Sequence, residues 1–163
     1  MPSTYEPIAT TTLGSAAADI TISSIPTTYT DLTLVWVGTT SGGSGVRLQV
    51  NADTATNYSR VYLQGDGTTA SSSLSSSQSS INSPVATSTS IPSFINFNFF
   101  SYAGSTNKTM LINYSADYNG TGSTIAQVAL WRSTSAINSI KVYVPSGTFN
   151  VGTTATLYGI KAA

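Results

Sequence analysis

No histidine and no cysteine occur among the 163 residues. Without cysteine there is no disulfide framework, no thiol nucleophile and no thiolate metal site. Without histidine, the commonest general base and the commonest zinc ligand are both missing. Charge is scarce as well: six basic and six acidic side chains cancel, and only 7% of residues are charged. Such a chain offers no electrostatic footprint for nucleic acid or for an anionic membrane surface. No apolar run approaches the ~20 residues needed to span a bilayer. The opening Met1-Pro2-Ser3-Thr4-Tyr5-Glu6-Pro7 lacks the basic and apolar regions of a secretory signal. The expected product is a soluble protein made in the cytoplasm.

What is present reads all-β. Low charge alone suggests disorder, but disordered chains pair low hydrophobicity with high net charge. Here 40% of residues are hydrophobic and 10% aromatic, and the rings recur from Tyr5 to Tyr158. Ser and Thr supply roughly a third of the chain; Thr favours strands, Ser and Gly favour turns, and helix formers are scarce. The length fits one domain, residues 1–163.

Alternation of apolar and polar residues between turn signals recurs along the chain, with no convincing helical period. Strands are expected at Tyr5–Ala9, Asp19–Ile25, Asp31–Val37, Val46–Asn51 and Tyr58–Gln64, then at Phe94–Phe100, Met110–Tyr114, Ile125–Arg132, Ile140–Val144 and Thr154–Lys161. Asp31–Val37 is apolar on both faces, which suggests a central or interface-facing strand. Asn119-Gly120 accepts the positive φ values of a tight turn, so a hairpin should join the strands on either side. About nine or ten short strands point to an antiparallel β-sandwich of jelly-roll or related Greek-key topology. Two segments break the pattern. Residues 68–90 hold a nearly pure Ser stretch, Ser71–Ser80, expected to be a long mobile loop with room for one irregular edge strand. Met1 to about Leu13 is proline-punctuated and weakly patterned, and is expected to act as an N-terminal arm reaching a neighbour.

Catalytic constellations are missing. The acids are Glu6, Asp19, Asp31, Asp53, Asp66 and Asp117. A glycosidase would need two of them a fixed distance apart in a cleft. Asp53, Asp66 and Asp117 sit in turn-like contexts, where an Asp usually accepts local backbone hydrogen bonds. No calcium-loop pattern exists. The abundant hydroxyls have no base to activate them. Gly42–Gly45 lacks the lysine and the helix of a phosphate-binding loop. No metal, no cofactor and no enzymatic activity are expected. Aromatic residues are the better functional candidates, because exposed rings stack on sugars; core or intersubunit packing is the commoner role of such rings. The candidate contacts are Tyr5, Trp36, Tyr62, Phe100, Tyr102, Tyr118 and Trp131.

Several segments together resemble small β-rich bacteriophage virion proteins. They are Tyr5-Glu6-Pro7-Ile8-Ala9-Thr10-Thr11-Thr12-Leu13-Gly14, Ile20-Thr21-Ile22-Ser23-Ser24-Ile25-Pro26, Tyr29-Thr30-Asp31-Leu32, Asn51 through Asn57-Tyr58-Ser59, and Ala155-Thr156-Leu157-Tyr158-Gly159-Ile160. The resemblance implies a virion location and a non-enzymatic structural role. The role would be a jelly-roll decoration (cement) protein of the head, or a module of a tail fibre. It also implies partners among the major capsid protein and other virion proteins, and a homo-oligomer, with a trimer ahead of a dimer. It supplies no catalytic residues. A receptor- or glycan-binding tail module is the rival expectation, and a carboxylate-pair glycosidase a distant third.

Overall fold

The structure, a computed structural model, describes residues 4–84 and 86–161. Among them are twelve strands and no helix: β1 (Tyr5–Thr12), β2 (Asp19–Ile22), β3 (Asp31–Gly38), β4 (Arg47–Val50), β5 (Tyr58–Gly65), β6 (Ala70–Gln78), β7 (Ile81–Asn82), β8 (Ser93–Phe99), β9 (Lys108–Asp117), β10 (Gly122–Trp131), β11 (Ile140–Tyr143) and β12 (Thr154–Ile160). They form two antiparallel sheets. The larger has the order β1-β12-β3-β8-β9-β10-β5-β6, and the smaller β2-β11-β4-β7. The fold is an all-β antiparallel sandwich, as the sequence predicts.

The core lies between the sheets. From the large sheet come Leu32, Leu34 and Trp36 of β3, Ile95, Phe97 and Phe99 of β8, and Met110, Ile112 and Tyr114 of β9. Facing them are Ile20 and Ile22 of β2, Leu48 and Val50 of β4, and Ile140 and Val142 of β11. Each set follows the alternation of its strand, because successive side chains point to opposite faces. Strand β3, apolar on both sides, is indeed central, paired with β12 and β8. The expected hairpin is present: Asn119 and Gly120 have φ of 58° and 116°, and β9 pairs with β10 over its full length. Two positive φ values in succession match the right-handed twist of the flanking strands.

The Ser-rich segment holds the irregular edge strand that the sequence left room for, in place of a long mobile loop. Residues 70–78 form β6, paired antiparallel with β5, and Ile81–Asn82 form β7. Strand pairing is a main-chain interaction and needs no apolar side chains once a turn delivers the segment in register. Asp66 makes that turn: its carboxylate accepts hydrogen bonds from the backbone N–H and the hydroxyl of both Thr68 and Thr69. The N-terminal segment, expected both as a strand at Tyr5–Ala9 and as an arm, forms the strand and pairs within its own chain. Residues 5–12 are the edge strand of their own sheet, in register with β12, and Leu13 N–H donates to Thr153 O at 2.9 Å. Glu6 fastens the edge, bonding Lys161 Nζ at 2.8 Å and accepting from the Tyr29 hydroxyl at 3.2 Å. Met1–Ser3 of the expected arm lie outside the described residues.

Buried rings with polar tips tie loops to the sheets. The Tyr58 hydroxyl accepts from Val50 N–H at 3.1 Å and lies 3.1 Å from the Asp53 carbonyl to which it donates. The Trp131 indole N–H donates to Asp53 Oδ2 at 2.7 Å. Partial burial pushes the Asp53 carboxyl up, but donors from Trp131, Asn57 and the Ala55 backbone outweigh it and hold it below the usual carboxylate range. A group held low in the folded state stabilises above its unfolded pKa of about 4 and ceases to do so as pH falls through the folded value. Replacing Asp53 with Ala leaves a buried indole N–H unpaired, at a cost of about 1–3 kcal/mol at neutral pH. Urea unfolding of the wild type and Asp53→Ala should show that difference at pH 7 and show it shrinking below about pH 4.

Candidate functional site

With the small sheet covering one face of the large sheet, the opposite face of the large sheet looks outward. Strand pairing arranges that face in rows. Leu74, Val61, Val128 and Leu111 stand opposite one another across β6, β5, β10 and β9, and the row continues through Asn98 and Thr33. The next row is Ser72, Leu63, Ala126, Asn113, Asn96 and Val35; the third is Ala70, Gly65, Thr124, Ser115, Phe94 and Val37. No charged side chain stands in these rows. The aliphatic members are well exposed: Leu74 72%, Leu63 60%, Val61 46%, Val128 45% and Leu111 36%. Scattered exposed aliphatics are ordinary, but a contiguous group of this kind is the usual mark of an interaction surface.

The face is troughed rather than flat. A hollow of about 430 Å³ lies among Leu63, Ala126, Phe94, Asn113, Ser115 and Thr124. A second, of about 300 Å³, shares Leu63 and Ala126 and runs on past Leu111 and Val128. A third, of about 280 Å³, shares Val61 and Val128 and extends to Leu74 and Arg132. The apolar end passes into an amide-rich strip. There Thr33 Oγ1 donates to Asn98 Oδ1 at 3.0 Å, while Asn96 Oδ1 is buried and finds no hydrogen-bond partner among the described residues. Such a surface can expel water from an apolar or amide-bearing partner.

The sequence-predicted contacts are dispersed. Trp36, Tyr102 and Trp131 are core residues and are not available to a partner or a glycan, which corrects that expectation. Each ring occupies the inner face of its strand or loop: Trp36 packs on Phe149 with centroids 5.3 Å apart, and the Tyr102 hydroxyl donates to the Pro26 carbonyl. Tyr118 sits at the β9–β10 turn with its hydroxyl 2.8 Å from those of Ser93 and Tyr114, a packing role. Tyr62 is half-buried under the Arg60 guanidinium, 5.3 Å from its centroid. Tyr5 is exposed on β1, edge-on to Tyr158, and Phe100 is exposed at the turn after β8. Strand register puts both on the outer face three strands apart, with Ile160 of β12 and Asp31 of β3 between them. The surface the structure does assemble is built of Val61, Leu63, Leu74, Leu111 and Val128, which a search for aromatic rings passes over. The signal available was the second apolar face of β10, where Ala126, Val128 and Leu130 alternate with an inner set containing Gln127.

The acids serve the frame. Asp53, Asp66 and Asp117 accept backbone hydrogen bonds in turns, as expected. Asp31 accepts from Ser101 N–H at 2.7 Å, and Asp19 pairs with Lys141 at 3.4 Å. Asp66 and Asp117 both border an open hollow of about 340 Å³ between two hairpin tips. The backbone and hydroxyl donors of Thr69 and Thr68 hold the Asp66 carboxyl far below its ordinary range. A glycosidase acid has to be raised instead, so that it can donate a proton near neutrality. Among the described residues no group of three or more His, Cys, Asp and Glu is placed to hold a metal.

No family model matches the sequence, and no curated protein matches it. Among solved structures, the galectin LEC-6 of Caenorhabditis elegans is similar over 91% of this chain and 94% of its own, at 11% identity and a TM-score of 0.44. A likeness this distant bears on neither ligand nor role. The class is defined by the fold itself: an all-β sandwich whose open face carries uncharged, partly apolar rows.

Since the outer-face aliphatics already stand in solvent, Leu63→Lys and Leu74→Lys should change the unfolding free energy by less than about 1 kcal/mol. Phe97→Ala, on the inner face of β8, should cost about 3–5 kcal/mol. Urea denaturation of the three variants tests the assignment of faces.

Proposed function

We propose that the protein is a non-enzymatic structural component of a bacteriophage particle, a decoration protein that grips neighbouring capsid subunits. The observation that supports this reading best is the run of exposed, uncharged aliphatics on the outer face of the large sheet, Leu74–Val61–Val128–Leu111 with Leu63 beside it. A protein that grips by such a face works through water expulsion and shape, with polar residues at the rim. The sequence resemblance described above supplies the setting: the partner would be the major capsid protein or another virion protein.

Purified protein added to particles stripped of it should rebind saturably. The contact is apolar, so raising salt to about 0.5 M, where charge–charge terms are largely screened, should leave rebinding nearly unchanged. Val128→Lys together with Leu63→Lys should weaken rebinding at least roughly tenfold, the consequence of burying a charge in an apolar contact. Cryo-electron microscopy of the rebound particle then reads the lattice position directly. Rebinding that ignores the outer-face variants would reject the reading.

One observation favours a second reading. The largest trough pairs an exposed ring, Phe94, with the amide and hydroxyl groups of Asn113, Ser115 and Thr124, a combination suited to a sugar ring with its apolar face down. A glycan array with hits abolished by Phe94→Ala would move the protein to receptor binding. An array without hits removes that alternative.

A further inference from the structure

The two edges of the large sheet are built differently. Strand β1 is guarded: Pro7 lacks an N–H, the register shifts between Pro7 and Ala9, and Glu6 is paired with Lys161. Proline, a bulge and charge are the usual devices that keep a free edge from pairing with another chain. Strand β6, at the other edge, has no proline and no charge. Its nine residues are Ala70-Ser71-Ser72-Ser73-Leu74-Ser75-Ser76-Ser77-Gln78, and the side chains are almost wholly exposed. One irregularity, a register shift near its C-terminal end with Ser77 at φ 53°, leaves Ala70–Ser75 regular.

The strand is also self-complementary. Leu74, its one large apolar residue, stands at the midpoint of the nine. An antiparallel pair about a two-fold axis normal to the sheet must place one residue opposite its own copy. Only a register centred on Leu74 puts leucine opposite leucine. In that register Ser73 faces Ser75 of the second copy, and the small Ser side chains let the main chains approach to sheet distance. The outer faces fall on the same side, so the row Leu74–Val61–Val128–Leu111 continues into its symmetry mate as one stripe of doubled length. We infer that β6 is the contact by which two copies of this chain join edge to edge into a two-fold dimer with one continuous sheet.

The contact is narrow. Three residues on each side, Ser73–Ser75, pair regularly in this register, because Ser72 and Ser71 meet the irregular end at Ser76 and Ser77, and a strip of that length falls short of the roughly 1,200 Å² of a standard interface. The dimer is therefore weak, with a dissociation constant on the order of 10–100 μM. A two-fold edge contact also closes at two copies, in place of the trimer that the sequence resemblance implies. The pairing does not depend on what covers the outer face.

Sedimentation velocity across a concentration series should show reversible dimerisation. Ser73→Lys/Ser75→Lys and Ser73→Glu/Ser75→Glu each bring like charges opposite one another in the proposed register. Each should raise the dissociation constant roughly tenfold or more, and an equimolar mixture of the two should recover the dimer. Hydrogen exchange on the unaltered protein reads the same contact without substitutions: amides of residues 70–78 should gain protection as concentration rises. A monomer up to about 300 μM, a trimer, a dimer indifferent to the two charge variants, or no concentration-dependent protection of β6 would each overturn the inference. Outer-face variants such as Val128→Lys leave the edge untouched, so loss of particle binding and loss of the dimer are separately observable.

Discussion

The polar tips of the buried rings are what the rest of this structure hangs on. Tyr58, Tyr102, Tyr114 and Trp131 all lie in the core, and each must find a partner for an O–H or N–H that water no longer reaches. Loops and strand ends supply the partners: Val50 and Asp53 for Tyr58, Pro26 and Tyr29 for Tyr102, Ser93 and Tyr118 for Tyr114, and Asp53 for Trp131. In a chain with so few ion pairs and no disulfide, these bonds are the specific links that fix connections against sheets. Trp36 is different, since its indole N–H is buried and finds no acceptor among the described residues.

Those same rings decide what faces solvent. A strand offers two sides, and a slip of one residue exchanges them. With Trp131 turned inward, Ala126, Val128 and Leu130 of β10 must turn outward. With Tyr58 inward, Val61 and Leu63 go out; with Tyr114 inward, Leu111 goes out. The apolar stripe on the outer face is thus a geometric consequence of satisfying the core. Dense hydroxyl and amide groups around it keep the surface hydrated without charge.

Much of this was legible from alternation alone. The inner sets of β3, β8 and β9 follow directly from the spacing of their large residues, and Asn119-Gly120 announced its hairpin. Three things were not legible, each for a physical reason. In β10 both faces are apolar enough to be buried, and the choice is made by a hydrogen bond to Asp53, far away in sequence. Strand β6 carries almost no hydrophobic signal because main-chain bonds to β5 and the Asp66 turn hold it. Ring chemistry points to aromatics as contacts, yet Trp36, Tyr102 and Trp131 are consumed by the core, and the exposed rows are mostly aliphatic.

The tips of the β5–β6 and β9–β10 hairpins lie side by side at one end of the large sheet, Asp66 and Gly67 next to Gly120 and Thr121. Neither tip contributes to the core, and both reverse direction on small or polar residues. Extra peptide spliced in at Asn119-Gly120 would leave the strand ladders and the interior undisturbed, because exposed polar tips are where chains best tolerate lengthening. The scaffold can therefore be diversified, by evolution or by an engineer, at that end of the molecule.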